Sequence, residues 1–139
     1  YYLRHNRAKA LKYIQKVLTF EPNEPYYWRR YAELNYFEFQ NLEEAEYGYR
    51  KAVQNGDYSY STLIEWVDLM FLTKKYGDAL PIVADIVHIY PHELNNYFRL
   101  ALAYYGIGDE HTAMQYYQMG VNKAPEWQSF FENKFNFKM

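Results

Sequence analysis

One period of about 34 residues runs through the whole chain. A small residue marks each unit: Ala10, Ala45, Ala79 and Ala113. A second series marks the end of each unit: Pro22, Asp57, Pro91 and Pro125. Both series have spacings of 35, 34 and 34 residues. Because two independent markers keep the same step, the period predicts a helical solenoid, in which each repeat packs on its neighbours.

Each unit contains two amphipathic segments separated by a short polar break. In the first segments, packing residues recur at i, i+3, i+4 and i+7, which is the spacing of one helical face. They are Trp28, Tyr31, Ala32 and Asn35; Leu63, Trp66, Val67 and Met70; and Tyr97, Leu100, Ala101 and Tyr104. In the second segments, the marker alanine is followed by packing residues at i+4 and i+7, as in Ala45, Tyr49 and Ala52. Small residues at these points let two helix axes approach closely.

Turn-forming residues separate the predicted helices. Gly77-Asp78 and Gly108-Asp109 predict turns inside two of the repeats, and His5 and His111 are expected near such turns. The prolines of the second series predict the ends of helices. The second repeat carries one extra residue near its internal turn.

Composition excludes several classes of function. The 139 residues are 50% hydrophobic, carry a net charge of −2 and contain no cysteine. A near-neutral chain gives no general reason to expect nucleic acid as a partner, and thiol chemistry is excluded. No catalytic motif, cofactor loop or metal-ligand set is visible, so no catalytic residue, cofactor or metal is predicted. No membrane span or signal segment is visible either, and the compartment stays unknown.

The order and spacing of these residues resemble the tetratricopeptide repeat (TPR) family, whose signature is W-x2-L-G-x2-Y, then A-x3-F, then P. The resemblance covers almost the whole chain. It implies an all-α, right-handed solenoid in a single domain with these parts: a partial repeat at 1–24, full repeats at 25–59, 60–93 and 94–127, and a C-terminal cap or tail at 128–139. Where the first motif of the family has glycine, this chain has Ala32, Val67 and Ala101 in its three full repeats. Asp57 replaces one of the prolines.

The resemblance also implies where a partner binds. In TPR proteins the first helices of successive repeats line a concave groove that holds a peptide or helix. The matching positions are Tyr26, Arg29, Glu33, Tyr36, Phe37, Ile64, Asp68, Phe71, Asn95, Phe98, Leu102 and Tyr105. Most are aromatic or aliphatic, which favours a partly apolar partner.

Two alternatives limit this assignment. Phe71, Leu72 and Leu102 could instead pack between neighbouring first helices. One TPR subclass clamps the C-terminal carboxylate of chaperones, but Glu33 and Asp68 stand at the clamp positions and would repel a carboxylate.

The two chain ends give further expectations. Trp127, Phe130, Phe131 and Phe135 predict a short aromatic segment that caps the last repeat, docks in the groove or contacts a second copy. Tyr1 aligns with Tyr104 inside a first helix, so the chain is expected to begin within a helix, with more sequence upstream. The expected exposed edge there consists of Tyr1, Tyr2 and Leu3.

The function predicted from these observations is a protein-protein interaction scaffold or adaptor without enzymatic activity. One alternative is a self-assembly module that forms homo-oligomers through the aromatic C-terminal segment or the open N-terminal edge. Another is a scaffold similar to HAT repeats of RNA processing, which Trp28, Tyr31 and Glu38 resemble. The other repeats do not continue the HAT pattern.

Overall fold

The structure is a computed structural model that describes the backbone of residues 2–137 and 139 and the side chains of residues 6–137 and 139. These residues form eight α-helices: α1 (Tyr2–Phe20), α2 (Pro25–Glu33), α3 (Leu42–Gln54), α4 (Tyr60–Leu72), α5 (Tyr76–Ile89), α6 (Asn96–Gly106), α7 (Glu110–Lys123) and α8 (Gln128–Phe135). A π-helical turn (Leu34–Glu38) follows α2, and a 3₁₀ turn (Pro125–Trp127) precedes α8. No strand occurs in this described part, so the all-α prediction is confirmed.

The chain divides into two compact units, residues 1–69 and 70–139, and the division falls within α4. The predicted repeat at 25–59 holds α2 and α3, and the predicted repeat at 94–127 holds α6 and α7. The division follows none of the predicted repeat boundaries, which therefore stay predictions.

The core of the first unit forms where α2 and α3 approach closely. Ala32, Ala45, Tyr49 and Ala52 are fully buried, as their spacing predicted. A Cβ atom on Gly48 would lie only 2.9 Å from the Cβ of Ala32. The small residues therefore set the separation of the two helices, because a larger side chain at either point would push them apart.

The core of the second unit follows the same pattern on α5, α6 and α7. Ala79, Val83 and Ile86 of α5 are fully buried, and so is Ala101 of α6. Gly120 of α7 makes room for the ring of an aromatic residue on α6, since a Cβ atom there would come within 3.0 Å of it. The predicted packing stripes of the second segments are thus confirmed in this unit.

The extra residue of the second repeat is absorbed in the π-helical turn. The Phe39 amide donates to the Leu34 carbonyl five residues earlier, at 3.3 Å, and the Asn41 amide donates to the Asn35 carbonyl at 2.8 Å. Such wide turns accommodate an additional residue inside a helix. Gln40 then takes a left-handed conformation, with φ of 49°, and ends the segment before α3.

Two expected turns are placed differently. Gly77 and Asp78 lie in the first turn of α5, because Lys74, with φ of 61°, already makes the preceding turn. The carboxylate of Asp78 is favourable there, since the helix N-terminus carries partial positive charge. Near His5 the expectation of a turn is wrong, because α1 is continuous from Tyr2 to Phe20.

The other predicted turn and the predicted helix ends are confirmed. Gly108 has φ of 93°, a conformation that favours glycine. The side chain of Asp109 accepts a hydrogen bond from the Thr112 amide at 3.1 Å and caps α7. Helices α1, α5 and α7 end two residues before Pro22, Pro91 and Pro125.

Asp57, which replaces a proline of the series, acts through its side chain. It accepts hydrogen bonds from the Ser59 amide at 3.0 Å, the Ser59 hydroxyl at 2.6 Å and the Thr62 hydroxyl at 2.8 Å. Partial burial raises the pKa of Asp57, but these hydrogen bonds outweigh it and leave the pKa below its usual value. The carboxylate therefore organises the start of α4, where a proline would only have ended the previous helix.

The expected exposed edge at Tyr1, Tyr2 and Leu3 lies outside the residues whose side chains are described. Among the helices of the described part, none is both long enough and apolar enough to cross a membrane.

Candidate functional site

The predicted contact residues divide between the two units. We call those of the first unit the first-unit set: Tyr26, Arg29, Glu33, Tyr36, Phe37, Ile64 and Asp68. We call those of the second unit the second-unit set: Phe71, Asn95, Phe98, Leu102 and Tyr105. The two sets differ in exposure and in what surrounds them.

Most of the first-unit set is accessible. Tyr26 and Phe37 are 59% and 54% exposed, whereas Arg29, Glu33 and Tyr36 are partly buried. Ile64 is also partly buried, and Asp68 is the one member whose side chain is buried, at 5% exposure. The face thus offers aromatic surface beside charged groups.

Arg29 joins the charged residues of this face. Its guanidinium lies 3.7 Å from the Glu33 carboxylate on the same helix and 3.4 Å from the Glu65 carboxylate on α4. Arg30 adds a contact to Glu33 at 3.3 Å. Of these three contacts, the Arg29–Glu65 pair joins α2 to α4, and the other two lie within α2.

Glu65 was not among the predicted residues, although it belongs to the same charged group. Burial, and then the negative charge of Glu33, raise the pKa of Glu65, while Arg29 opposes the shift. Its spacing of three residues from Asp68 places the two carboxylates on one helical face. That spacing was the signal that could have identified it.

Aromatic side chains flank the charged group. The rings of Tyr36 and Phe37 are stacked, with centroids 4.6 Å apart and planes at 6°. Both residues lie in the π-helical turn, which displays two successive aromatic side chains. Burial raises the pKa of Tyr36, and the charges of Asp68 and Glu65 raise it further, so the phenol stays neutral and can donate a hydrogen bond.

The second-unit set is mostly buried. Phe98 is fully buried, and Phe71 and Leu102 are each 3% exposed. Asn95 is 7% exposed, which leaves Tyr105, at 44%, as the accessible member. The expectation of an open contact surface at Phe98 is therefore corrected: its ring lies 5.7 Å from Tyr117 and packs over Gly120.

Helix α8 and the residues after it cover this set. The Phe131 ring stacks on Phe98 at 5.4 Å, and Phe135 meets Phe71 edge-on at 5.6 Å. Phe137 reaches Tyr105, with ring centroids 5.4 Å apart. The C-terminal segment thus lies on the positions where the sequence placed a partner. Phe71 and Leu102 are buried and Leu72 is 43% exposed. The ring of Phe71 packs against Tyr76 of α5 and Phe135 of α8, so its packing between neighbouring first helices stays a prediction.

Polar contacts fix the same segment on α7. The Tyr117 hydroxyl donates to the Glu132 carboxylate at 2.6 Å, and the Gln128 amide donates to the Tyr117 oxygen at 2.9 Å. The Arg99 guanidinium lies 4.8 Å from the centre of the Phe131 ring, which is favourable for a cation over an aromatic face. Packing and polar contacts together anchor α8.

The aromatic residues at the start of the segment are more exposed. Trp127 and Phe130 are 37% and 39% exposed, and their rings meet edge-on at 5.3 Å. Trp127, Phe130, Phe131 and Lys134 have the spacing of one helical side and lie beside one another: the Phe131 ring lies 6.3 Å from Trp127 and 5.1 Å from Phe130, and Lys134 Nζ lies 5.3 Å from the Phe130 ring, although only Phe131 of the four is buried. Within the described residues, no group of three His, Asp or Glu side chains could hold a metal ion.

Comparison with known proteins identifies the fold. No family model and no curated protein matches the sequence. Among solved structures, MamA 41-end from Desulfovibrio magneticus RS-1 has a TM-score of 0.74 at 19% identity, over 94% of this chain and 76% of that chain. Another structure described as MamA has a TM-score of 0.75 at 15% identity, over 96% of this chain and 77% of that chain.

MamA is a TPR-like helical repeat protein, so the predicted fold of repeated helix hairpins is confirmed. At this level of identity the likeness concerns the fold. The roles of individual residues are therefore argued from the contacts described above.

Proposed function

We propose that this chain is a non-enzymatic TPR module that binds a peptide or helix of another protein. The proposed contact surface is the first-unit set together with Glu65. In this proposal the repeats at 25–59, 60–93 and 94–127 form one scaffold domain, and the C-terminal segment caps it.

The observation that carries the proposal is the Tyr36–Phe37 stack, whose Phe37 ring is exposed. Phe37 is 54% exposed and stacks on Tyr36, and Arg29 precedes Tyr36 by seven residues, which is the spacing of one helical face. Aromatic residues and arginine are enriched among the residues that dominate binding energy in protein interfaces. An isolated exposed phenylalanine would be ordinary, but an ordered aromatic stack with flanking charge suits a partner with both apolar and polar groups.

Site-specific photocrosslinking tests this proposal. A photoreactive phenylalanine analogue replaces Phe37 in one variant and exposed Met114 of α7 in a control variant. We expect a crosslinked protein with the first variant and none of the same mass with the second. Crosslinking of one protein at both positions, or at Met114 alone, would contradict the proposed surface.

A second candidate function, self-assembly, is favoured by the exposed Trp127–Phe130 pair. If two copies associate there, the sedimentation mass will rise with concentration, and Trp127→Ser together with Phe130→Ser will abolish the rise. A mass that stays monomeric over the tested range, or one that rises equally in the variant, would remove this candidate.

A further inference from the structure

A stripe of accessible side chains runs along α1. Ala10, Tyr13, Val17 and Phe20 follow the spacing i, i+3, i+7 and i+10, which is the seam spacing of helices that pack on another helix over heptads. We call these four residues the α1 seam. Tyr13 and Phe20 are 64% and 77% exposed, and Ala10 and Val17 are partly exposed. Phe20 is the most exposed large hydrophobic residue in the described part of the chain.

Another side of α1 is already packed in the core of the first unit. Ile14 and Leu18 are each 8% exposed and form a cluster with Tyr31 and Leu34. A surface helix usually has one apolar side, and a helix with more apolar surface usually has a further neighbour. The α1 seam is therefore apolar surface that the packing of α1 on α2 does not use.

On α3, a helix covers the residues that correspond to the α1 seam. By the repeat spacing they are Ala45, Gly48, Ala52 and Asn55. Ala45 and Ala52 are fully buried, and a Cβ atom on Gly48 would lie 2.9 Å from the Cβ of Ala32 on α2. The first helix of that repeat thus lies directly on these positions.

On α7, a helix again covers the corresponding residues. They are Ala113, Tyr116, Gly120 and Lys123. The ring of Tyr116 stacks on Tyr97 and Tyr104 of α6, with centroids 6.4 Å and 5.6 Å apart. Tyr13 is the residue of α1 that corresponds to Tyr116. Two repeats of the same molecule therefore indicate that an α-helix is the occupant for which the seam positions are suited.

Positive charge on α1 adds an independent requirement for that occupant. The basic residues of α1 are Arg4, Arg7, Lys9, Lys12 and Lys16, and this helix contains no acidic residue. Lys9 and Lys16 are exposed, and each lies one residue before a seam position. Among the described side chains, neither lysine forms an ion pair, whereas Arg7 lies 2.7 Å from Glu38. Charges that flank a helix seam select a partner of opposite charge.

We infer that the α1 seam binds an amphipathic α-helix of a partner protein that carries acidic residues beside its apolar seam. The apolar side chains of that helix cover Tyr13 and Phe20, and its carboxylates pair with the ammonium groups of Lys9 and Lys16. The α1 seam shares no residue with the first-unit set, so it is a second contact surface and does not depend on the proposed function. An anionic lipid surface is the competing occupant of a basic and aromatic face, but helices cover the corresponding positions of α3 and α7.

Fluorescence anisotropy with three labelled helical peptides tests the inference. The peptides share one apolar heptad seam and differ only in the residues that flank it, which are glutamate, glutamine or lysine. We expect the glutamate peptide to bind most tightly and its affinity to fall as salt rises, because salt screens exposed charges. Equal or tighter binding of the glutamine or lysine peptide would overturn the inference.

Removal of the flanking charges tests the electrostatic part. Lys9→Gln with Lys16→Gln is expected to weaken binding of the glutamate peptide by about tenfold or more and to leave the glutamine peptide unchanged. The control, Lys12→Gln with Lys123→Gln, removes two exposed lysines that do not flank the seam and changes the net charge equally. An equal loss of binding in the control would show a response to net charge alone and would overturn the inference.

Removal of the exposed rings tests the apolar part. Tyr13→Ser with Phe20→Ser is expected to abolish binding of the glutamate peptide, and circular dichroism checks that the variant still folds. The control, Leu72→Ser with Ile89→Ser, changes two side chains that are 43% and 45% exposed elsewhere and should bind as the wild type does. Binding that survives the loss of both rings would overturn the inference.

Two further measurements separate this surface from the alternatives. Phe37→Ser should leave peptide binding unchanged, since a loss would place the peptide on the first-unit set and overturn the inference. Cosedimentation with vesicles of phosphatidylcholine and phosphatidylserine tests the lipid alternative. Vesicle binding that needs Lys9 and Lys16, without binding of the glutamate peptide, would assign the face to lipid. If no peptide binds, the inference is overturned, and crosslinking at Phe37 decides the proposed function separately.

Discussion

The two units treat the aromatic residues at their predicted groove positions in different ways. In the first unit Phe37 is 54% exposed and stacks on Tyr36. In the second unit Phe98 is fully buried beneath Phe131 of α8. A repeat pattern predicts which residues share a helical face, but it does not predict whether that face is exposed to solvent. In the second unit, α8 lies outside the repeat pattern and covers the face.

Removal of the Phe131 ring should have the largest effect, because it uncovers the second unit and leaves the first unit unchanged. Phe131→Ala leaves a cavity at a fully buried site and is expected to lower the free energy of unfolding by about 3–5 kcal/mol. Hydrogen exchange should show loss of protection in α6 and α7 and little change in α2 and α3. The matched variant Phe130→Ala, at a 39% exposed ring, should cost less than about 1 kcal/mol. Equal effects of the two variants would show that α8 does not cover the second-unit set.

Filling the close contact between α2 and α3 in the first unit should have the next largest effect on stability. Gly48→Ala places a methyl group against Ala32 and is expected to cost about 1–3 kcal/mol in urea unfolding. Gly77→Ala is the matched control in the second unit, because its nearest neighbour would lie at 3.9 Å. That change should be stabilising by up to about 1 kcal/mol, since alanine favours helix. A neutral Gly48→Ala would show that α2 and α3 can separate freely.

The hydrogen bonds of Asp57 should have a smaller effect that depends on pH. Asp57→Ala removes the acceptor for Ser59 and Thr62 at the start of α4 and is expected to cost about 1 kcal/mol at neutral pH. Because the folded-state pKa of Asp57 is lowered, its contribution is present above the unfolded-state pKa and is lost as pH falls through the folded-state pKa. Wild type and variant should therefore converge in stability in acid. A difference that persists unchanged at low pH would assign the effect to packing instead.

Truncation of Phe37 should change stability least. Phe37→Ser removes an exposed ring and is expected to cost less than about 1 kcal/mol, although it deletes half of the aromatic stack. The same variant should abolish partner binding at the first unit if the proposed function is correct. Thermal unfolding and binding of the crosslinked partner, measured on one preparation, separate the two effects. A large loss of stability would mean that the stack holds the fold instead of presenting a surface.

The sequence predicted the core better than it predicted exposure. The spacing of Ala45, Tyr49 and Ala52 was enough to identify buried positions, because helical periodicity alone determines which side chains share a face. The burial of Phe98 could not be predicted from helical periodicity, because it depends on how α8 packs against α6. Local signals also misplaced the turn at Gly77, because Lys74 took the left-handed conformation that glycine usually supplies.

The sequence also predicted only part of the charged group formed by Arg29, Glu33 and Glu65. Arg29 and Glu33 were found from their positions in the repeat, whereas Glu65 was missed, because it lies one position beside those assigned to the groove. Its role follows from a contact between α2 and α4 that connects residues 36 apart in sequence.

The π-helical turn at Leu34–Glu38 affects how insertions and deletions would change the first-unit set. It confines an inserted residue to a single turn, so Ala45, Tyr49 and Ala52 keep the packing positions seen in the other units. Tyr36 and Phe37 lie within this turn, and Phe37 is exposed. Loss of one codon in this stretch would restore the 34-residue spacing and leave the core of α3 intact. The proposed contact surface could therefore be altered by a change in length alone, without repacking the core.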